Sequence, residues 1–208
     1  MKGLAYLLIV IGLSTMLYPK VKSMYFSQQE QQLLENWEST TVDSVIQQSS
    51  EQLDDIFQEK NRPKTQQKSL KSTNGIIGKM SIKKINLTLP IMEGASQQNL
   101  KVAAGHMKGT SPIGEIGNAA IAAHRSYTYG KQFNRLLEVE KGDIVQIETA
   151  QKILTYTVTD NLLVKPTDLS VLQSNQTESI VTLITCHPMK NPTHRYIVKA
   201  VLKKEEVL

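Results

Sequence analysis

Cysteine, tryptophan and phenylalanine are scarce in this 208-residue chain, which has one Cys, one Trp and three Phe. A single cysteine excludes an internal disulfide and any metal cluster built from several thiolates. The net charge is +5, yet no basic run is interleaved with aromatic residues, so nucleic acid is not an expected partner. The modest positive charge instead suits an anionic surface such as a membrane or a cell wall.

Long apolar runs are also absent, except at the start of the chain. The stretch Gly3–Tyr18 carries no charge, and its length lies between a signal-peptide core and a full membrane span of about 20 residues. Because no small-x-small cleavage site follows, we predict an uncleaved membrane anchor over residues 1–22, with a cleaved signal peptide as the alternative. Lysines flank the stretch on both sides, so the positive-inside rule does not give its orientation.

A polar segment follows the predicted anchor. Residues 23–60 are rich in Gln, Glu and Ser, and their sparse apolar side chains, beginning with Leu34 and Trp37, recur at helical spacing. This pattern predicts a helical stalk whose one narrow apolar stripe packs weakly or pairs with another helix. An Asn-Arg-Pro sequence then ends the pattern, and residues 61–75 are predicted to be a flexible linker.

The remaining segment, residues 76–208, has the character of an all-β domain. Apolar and polar residues alternate, β-branched residues are common, and turn residues recur at short intervals. About seven or eight strands of this kind suit either a closed barrel or a sandwich. The segment Ile180–Cys186 (IVTLITC) is almost wholly apolar or β-branched, which predicts a central strand.

The lone Cys186 lies at the end of that predicted strand, and the His-Pro that follows should stop the ladder and leave the thiol at the sheet rim. A lone cysteine is most often an inert buried thiol. However, Arg195 begins the next strand after a short loop, and antiparallel pairing would place its guanidinium across from the sulfur. A fixed cation there favours the thiolate and can bind an oxyanion, although an ordinary surface arginine is the alternative.

A base for this thiol must be a histidine. His124 ends a predicted strand of small residues, 118–124, and so should also lie at a strand's C-terminal rim. An imidazole within hydrogen-bonding reach of Cys186 would complete a nucleophile–base pair. The other histidines are expected either to point to the opposite strand face or to lie in a glycine-rich loop, and they are His187, His194 and His106.

Two short motifs resemble those of the sortase family. Thr182-Leu183-Ile184-Thr185-Cys186, with Arg195 nine residues on, resembles the TLxTC…R element. Ala122-Ala123-His124-Arg125 resembles the family's AGH(R) element, with Ala123 where the family usually has glycine. Further likenesses cover about residues 76–202 and lie at Ile77–Ile82, Leu89–Gly94, Gly105–Asn118 and Lys165–Leu172.

The resemblance implies an eight-stranded closed β-barrel with short helices, and a cysteine transpeptidase that needs no cofactor. Such an enzyme cleaves an LPXTG-like sorting signal after Thr through a thioacyl intermediate, which an amine of a wall precursor or pilin then resolves. Cys186 is implied as the nucleophile, His124 as the acid/base and Arg195 as the group that stabilises substrate or oxyanion. The segment Asn161–Glu178 should line the substrate groove. The implied substrate contacts are Thr185, Ala123, Pro166, Thr167 and Leu172.

The resemblance also bears on class, metal and location. No N-terminal Asp-Pro-aromatic lid and no C-terminal membrane segment is visible, which favours class A or class D. Between Ser96 and Asn118 only Glu115 offers a carboxylate, so no calcium site is expected. A single-pass protein with its domain outside a Gram-positive cell follows from the resemblance. The alternative is a membrane-tethered β-barrel adaptor whose cysteine is merely buried.

Overall fold

A long helix precedes an eight-stranded barrel in the computed structural model, which describes residues 2–57, 75–174 and 176–208. Helix α1 is Lys2–Phe57. The predicted linker 61–75 lies outside the described residues except at its last position. The strands are β1 (Ile76–Ile82), β2 (Leu87–Glu93), β3 (Ala104–His106), β4 (Gly117–Ala122), β5 (Ile144–Glu148), β6 (Lys152–Val164), β7 (Ser179–His187) and β8 (His194–Val207). Short 3₁₀ helices lie at Lys83–Ile85, Asn99–Lys101, Phe133–Glu138 and Ser170–Leu172.

The strands close into a barrel in the order β1-β2-β3-β4-β7-β8-β6-β5. The β2–β3 and β4–β7 pairs are parallel and the others are antiparallel. Closure leaves no unpaired sheet edge, which is why eight strands in so short a domain need no covering layer. The predicted eight-stranded closed barrel is therefore confirmed, and the sandwich alternative is wrong.

The barrel interior is filled by the apolar residues of the alternating pattern. Along β1, every second side chain is buried, and the same alternation recurs in β5 and the first half of β6. The 3₁₀ helix after β4 contributes Phe133 and Leu136, both fully buried. The largest fully buried side chains elsewhere are Tyr156, Met80, Ile82, Ile85, Leu89, Ile91, Ile121, Ile147, Leu154 and Leu183.

Three strand ends differ from the sequence predictions. Strand β4 ends two residues before His124, because the chain leaves the ladder there to enter the loop before the 3₁₀ helix. Strand β7 continues one residue beyond Cys186. Strand β6 continues to Val164, where it still pairs with Arg195 of β8, so the predicted groove loop begins at residue 165 and not at Asn161.

Helix α1 contacts the outside of the barrel at Trp37, which belongs to the predicted apolar stripe. Trp37 is only 8% exposed, and its Nε1 donates to Glu148 Oε1 at 3.1 Å. Lys79 Nζ lies 3.2 Å from both Glu148 Oε2 and Glu38 Oε1. Burial opposes the charge on Lys79, but Glu148 and Glu38 outweigh it and raise the pKa of that lysine. The stripe predicted to pack weakly or against another helix therefore packs against β1 and β5 at Trp37.

Helix α1 also runs through the segment predicted as a membrane anchor. Within the ranges that the structure describes, however, we find no helix with both the length and the apolar character needed to cross a bilayer.

Candidate active site

Cys186 and Arg195 face each other across two neighbouring strands. The antiparallel β7–β8 register pairs them directly, as the sequence predicts. Leu183 and Val198, three positions away on the same strands, lie in the barrel core. Since side chains alternate between faces, Cys186 and Arg195 share the outer face of the barrel. The thiol is free and partly exposed.

His124 reaches the same end of the sheet from the other side of β7. The parallel β4–β7 register ends at Ala122 paired with Ile184. Strand β4 ends there, although the Ala123 amide still donates to Ile184 O, so His124 and Cys186 each lie two residues beyond the last pair. The His124 side chain is exposed to solvent. The three predicted catalytic residues thus lie at one end of the adjoining strands β4, β7 and β8.

The backbone around His124 is held firmly although its imidazole is exposed. The Ala123 amide donates to Ile184 O at 3.1 Å, and the Phe133 amide donates to His124 O at 3.1 Å. Thr185 Oγ1 donates to Ala123 O at 2.9 Å. Because Phe133 is fully buried and Thr185 is 2% exposed, these bonds fix the main chain on both sides of the histidine.

Thr185 and Ala123 are predicted to contact substrate, but in the structure their side chains are buried and do not face the site. Thr185 is buried against β4, and the Ala123 methyl lies in the core cluster at 5% exposure. The extra methyl relative to glycine therefore fits the barrel interior without entering the site. Any substrate contact by these residues would have to use main-chain atoms, and it stays a prediction.

Two hydrogen bonds join the loop after His124 to the loop after Cys186. Arg125 Nη1 lies 3.0 Å from His187 Nδ1, and Tyr127 Oη donates to Met189 O at 3.2 Å. Because the guanidinium can only donate, Nδ1 of His187 must accept, which places the proton of this neutral ring on Nε2. The residue after His124 is thus tied to the residue after Cys186. The arginine of the AAHR sequence was the only sequence signal for this bridge.

The remaining histidines are engaged elsewhere. Buried His106 has Glu93 Oε2 at 2.9 Å from Nδ1 and Ser111 O at 2.9 Å from Nε2. With an acceptor at each nitrogen, this ring holds the loop between β3 and β4 and cannot serve the thiol. His194 Nδ1 lies 2.9 Å from Thr193 Oγ1. These hydrogen bonds support a structural role for His106.

The loop of residues 165–178 begins beside Arg195, where β6 ends. Its predicted substrate contacts Pro166 and Thr167 are exposed and Leu172 is partly buried. The Ser170 hydroxyl and amide donate to Asp168 Oδ1 at 2.6 and 3.0 Å, which lowers the pKa of that carboxyl. The first part of this loop therefore contains a hydrogen-bonded turn at Asp168–Ser170, and its substrate contacts stay predictions.

No group of three or more His, Cys, Asp or Glu side chains in residues 2–57, 75–174 and 176–208 lies close enough to hold a metal ion. The expectation that calcium has no effect stays a prediction.

Comparison with known proteins was decisive for the family. The sortase domain profile matches residues 80–203, which is more than half of the chain and includes Cys186, His124 and Arg195. The chain belongs to the sortase family. Among curated relatives, sortase A of Bacillus anthracis is 31% identical over 123 residues, covering 59% of this sortase and 58% of the relative. Sortase D of Bacillus subtilis is 31% identical over 124 residues, covering 58% and 61%.

Solved sortase structures share the fold. Listeria monocytogenes sortase A superposes with a TM-score of 0.62 at 26% identity, covering 65% of this chain and 92% of that one. A Clostridium perfringens sortase D5 transpeptidase gives 0.57 at 32% identity, covering 62% and 79%. The chain spans about three-fifths of the length of the curated relatives it matches. Because both A and D types are among the relatives, the class stays a prediction.

Proposed function

We propose that this sortase is a cysteine transpeptidase that cleaves an LPXTG-like sorting signal after Thr and transfers the acyl group to an amine of a cell-wall precursor or pilin. The observation that carries the proposal is the direct pairing of Cys186 with Arg195 across β7 and β8, with His124 two residues beyond the end of the neighbouring β4. A nucleophile, a cation and a titratable base meet at one strand end.

The proposed reaction has two steps, acylation of Cys186 and then attack of the acceptor amine on the thioester. The Cys186 thiolate attacks the Thr carbonyl carbon, and Arg195 donates hydrogen bonds to the oxyanion. The C–N bond breaks as His124 gives its proton to the leaving amine, which leaves a thioester. The acceptor amine then attacks the thioester and loses a proton to His124. The C–S bond breaks, and the thiolate returns with a new amide bond formed on the substrate.

Several features of the site support these roles. Arg195 Nη1 donates to the adjacent His194 carbonyl at 3.1 Å, which orients the guanidinium while leaving its other N–H groups for substrate. The exposed imidazole of His124 can exchange protons with substrate because only its main chain is tied down. The loop of residues 165–178 supplies the exposed Pro166 and Thr167 beside Arg195 for contacts with the peptide.

The adaptor alternative requires a buried, unreactive thiol. Cys186 is partly exposed and shares a strand face with Arg195, which favours the catalytic role. Alkylation separates the two hypotheses, because a thiolate-forming cysteine reacts quickly and an inert one slowly.

The main test uses the full chain in mild detergent with a fluorogenic LPXTG-type peptide and an amine acceptor. We expect cleavage, product transfer and a thioester adduct detectable by intact mass, all lost in Cys186→Ala. Arg195→Lys keeps the charge but not the planar fork, so we expect kcat to fall about 10²-fold while the protein stays folded. A wild-type chain that neither cleaves nor acylates with any such peptide refutes the proposal.

We also propose that residues 1–22 anchor the chain in the membrane, with the barrel outside the cell. The uncharged stretch Gly3–Tyr18 and the sorting of secreted substrates support this arrangement. Expression with and without residues 2–22, followed by membrane flotation, tests it. Retention of the shortened chain in the membrane fraction contradicts the anchor.

A further inference from the structure

A fully buried polar pair connects the catalytic strand to the loop over its outer face. Asn118 on β4 is 1% exposed, and Thr182 on β7 is fully buried. Thr182 Oγ1 donates to Asn118 Oδ1 at 2.7 Å. Asn118 Nδ2 donates to Val171 O at 2.9 Å and to Gln173 O at 3.1 Å. The side-chain amide thereby uses both of its donors and its acceptor.

The orientation of this pair is fixed from all sides. Two carbonyls face Nδ2, so the amide cannot flip without placing its oxygen against them. The main chain of Asn118 is also held, since its amide donates to Ser111 Oγ at 3.1 Å and its carbonyl accepts from the Ser111 amide at 3.0 Å. Thr182 opens the TLITC sequence that ends in Cys186, but it does not itself reach the reacting atoms.

The position of the pair relates it to substrate. Thr182 lies four residues before Cys186 on the same outer face of β7, a distance of about 13 Å along a strand. An extended peptide of about four residues spans the same length. At Asn118 and Thr182 the loop closes over the sheet, and Val171 is 5% exposed there. The loop therefore covers the outer face of β7 at Thr182, while Ile184 and Cys186 further along the same face stay partly exposed.

We propose that Asn118 and Thr182 are positioning residues that fix the loop of residues 165–174 over β4 and β7, and so set the depth of the groove for the part of the sorting signal before the scissile bond. The inference rests on the proposed transpeptidase function and deepens it. Since Thr182 lies four residues, or about 13 Å, from Cys186 along β7, loss of the pair should weaken peptide binding and leave the chemistry of the bound peptide intact.

The test compares Thr182→Val with Thr182→Ser. Valine has nearly the shape of threonine but lacks the hydroxyl, which leaves the buried Asn118 Oδ1 without its donor, whereas serine retains the donor. We expect Thr182→Val to raise KM for the peptide about tenfold, with kcat and the alkylation rate of Cys186 within about twofold of wild type. Thr182→Ser should return KM to within about twofold of wild type.

Hydrogen exchange provides a readout that does not depend on activity. We expect the amides of residues 165–174 to exchange about tenfold faster in Thr182→Val, and those of β5 to be unchanged. The matched control is Thr157→Val on β6, because the Thr157 hydroxyl makes no hydrogen bond with the residues that the structure describes. If Thr182→Val does not fold, Thr182→Ala removes the same hydroxyl and carries the same expectations.

The outcomes separate the two hypotheses. A wild-type chain that does not acylate refutes the proposed function, while the exchange experiment still decides whether the pair holds the loop. Unchanged exchange in residues 165–174 overturns the positioning role whatever the activity. A parallel loss of kcat and thiol alkylation in Thr182→Val also overturns it, because the pair would then support the catalytic residues and not the groove.

Discussion

The bridge between Arg125 and His187 should control how well His124 and Cys186 are aligned. We consider His187→Phe, which keeps a planar ring but removes the acceptor, and His187→Asn, whose Oδ1 can replace Nδ1. A hydrogen bond to a charged donor contributes about 1.5–3 kcal/mol, and partial exposure places this one at the lower end. Because each 1.36 kcal/mol is about tenfold in rate, we expect kcat/KM to fall about tenfold in His187→Phe.

The structural reason is that the loop after His124 and the loop after Cys186 lose a hydrogen bond that joins them. Without the acceptor, the bond from Tyr127 to Met189 O is the one side-chain hydrogen bond between these loops that remains among the described residues. Arg125 Nε is already buried without a partner among the described residues, so loss of the bond to His187 should let the guanidinium move toward solvent. A shift of about 1 Å between base and nucleophile can cost up to about 10²-fold, which sets the upper limit of the effect.

The assay measures kcat and KM with the fluorogenic peptide, together with the alkylation rate of Cys186. His187→Asn should retain activity within about threefold of wild type and an unfolding free energy within about 1 kcal/mol of it, whereas His187→Phe should lose about 1.5 kcal/mol of unfolding free energy. Equal loss of activity in both variants would show that the imidazole itself matters. Full activity of His187→Phe would show that the bridge does not align the site.

Four further outcomes are expected. Trp37 is the only tryptophan, so Glu148→Ala, which removes its hydrogen-bond acceptor, should shift the fluorescence emission to longer wavelength as α1 loosens from the barrel; an unchanged spectrum contradicts this contact. Burial raises the pKa of Tyr156, and its hydroxyl lies near Ser179 but forms no hydrogen bond among the described residues. Tyr156→Phe should therefore leave the unfolding free energy measured by urea titration unchanged, or raise it by about 1 kcal/mol. The hydroxyl and amide of Ser170 lower the pKa of Asp168, so this carboxylate stabilises its turn at pH values above the unfolded-state pKa of about 3.9. The stabilisation is lost as the pH falls through the lower pKa of the folded state. Ser170→Ala should raise the pKa of Asp168 measured by NMR, and an unchanged pKa contradicts the contact. Millimolar calcium should change kcat/KM by less than about twofold, and a large increase would reveal a site that the carboxylate pattern does not predict.

Contacts between strands joined by a short loop could be predicted from the sequence. The prediction that Arg195 lies opposite Cys186 needed only a strand end, a short connection and antiparallel pairing, and it is confirmed by the register. The all-β pattern followed from alternation, and the motif resemblance supplied the closed eight-stranded barrel. His124 was placed at the same end because a run of small residues leads to it, although β4 ends two residues earlier.

Contacts between segments far apart in the chain could not be predicted in this way. Thr182 bonds to Asn118, Arg125 to His187, and Trp37 to Glu148, over separations of 64, 62 and 111 residues. A polar residue has the same local pattern whether its partner is another side chain or water, so nothing in its own segment reveals the pairing. The same limit hid the bond from the Thr185 hydroxyl to Ala123 O, while a substrate contact through the main chain of Thr185 stays a prediction.

The sequence by itself determined which strands form and which residues are candidates for the chemistry, because strand periodicity and the spacing of Cys186 and Arg195 are local properties of the chain. Only the tertiary structure decided how that chemistry is held. Barrel closure makes β4, β7 and β8 adjacent, and buried donors and acceptors then have to find partners wherever the closed barrel brings them. The roles proposed for the Asn118–Thr182 pair and for the Arg125–His187 bond depend on those partners.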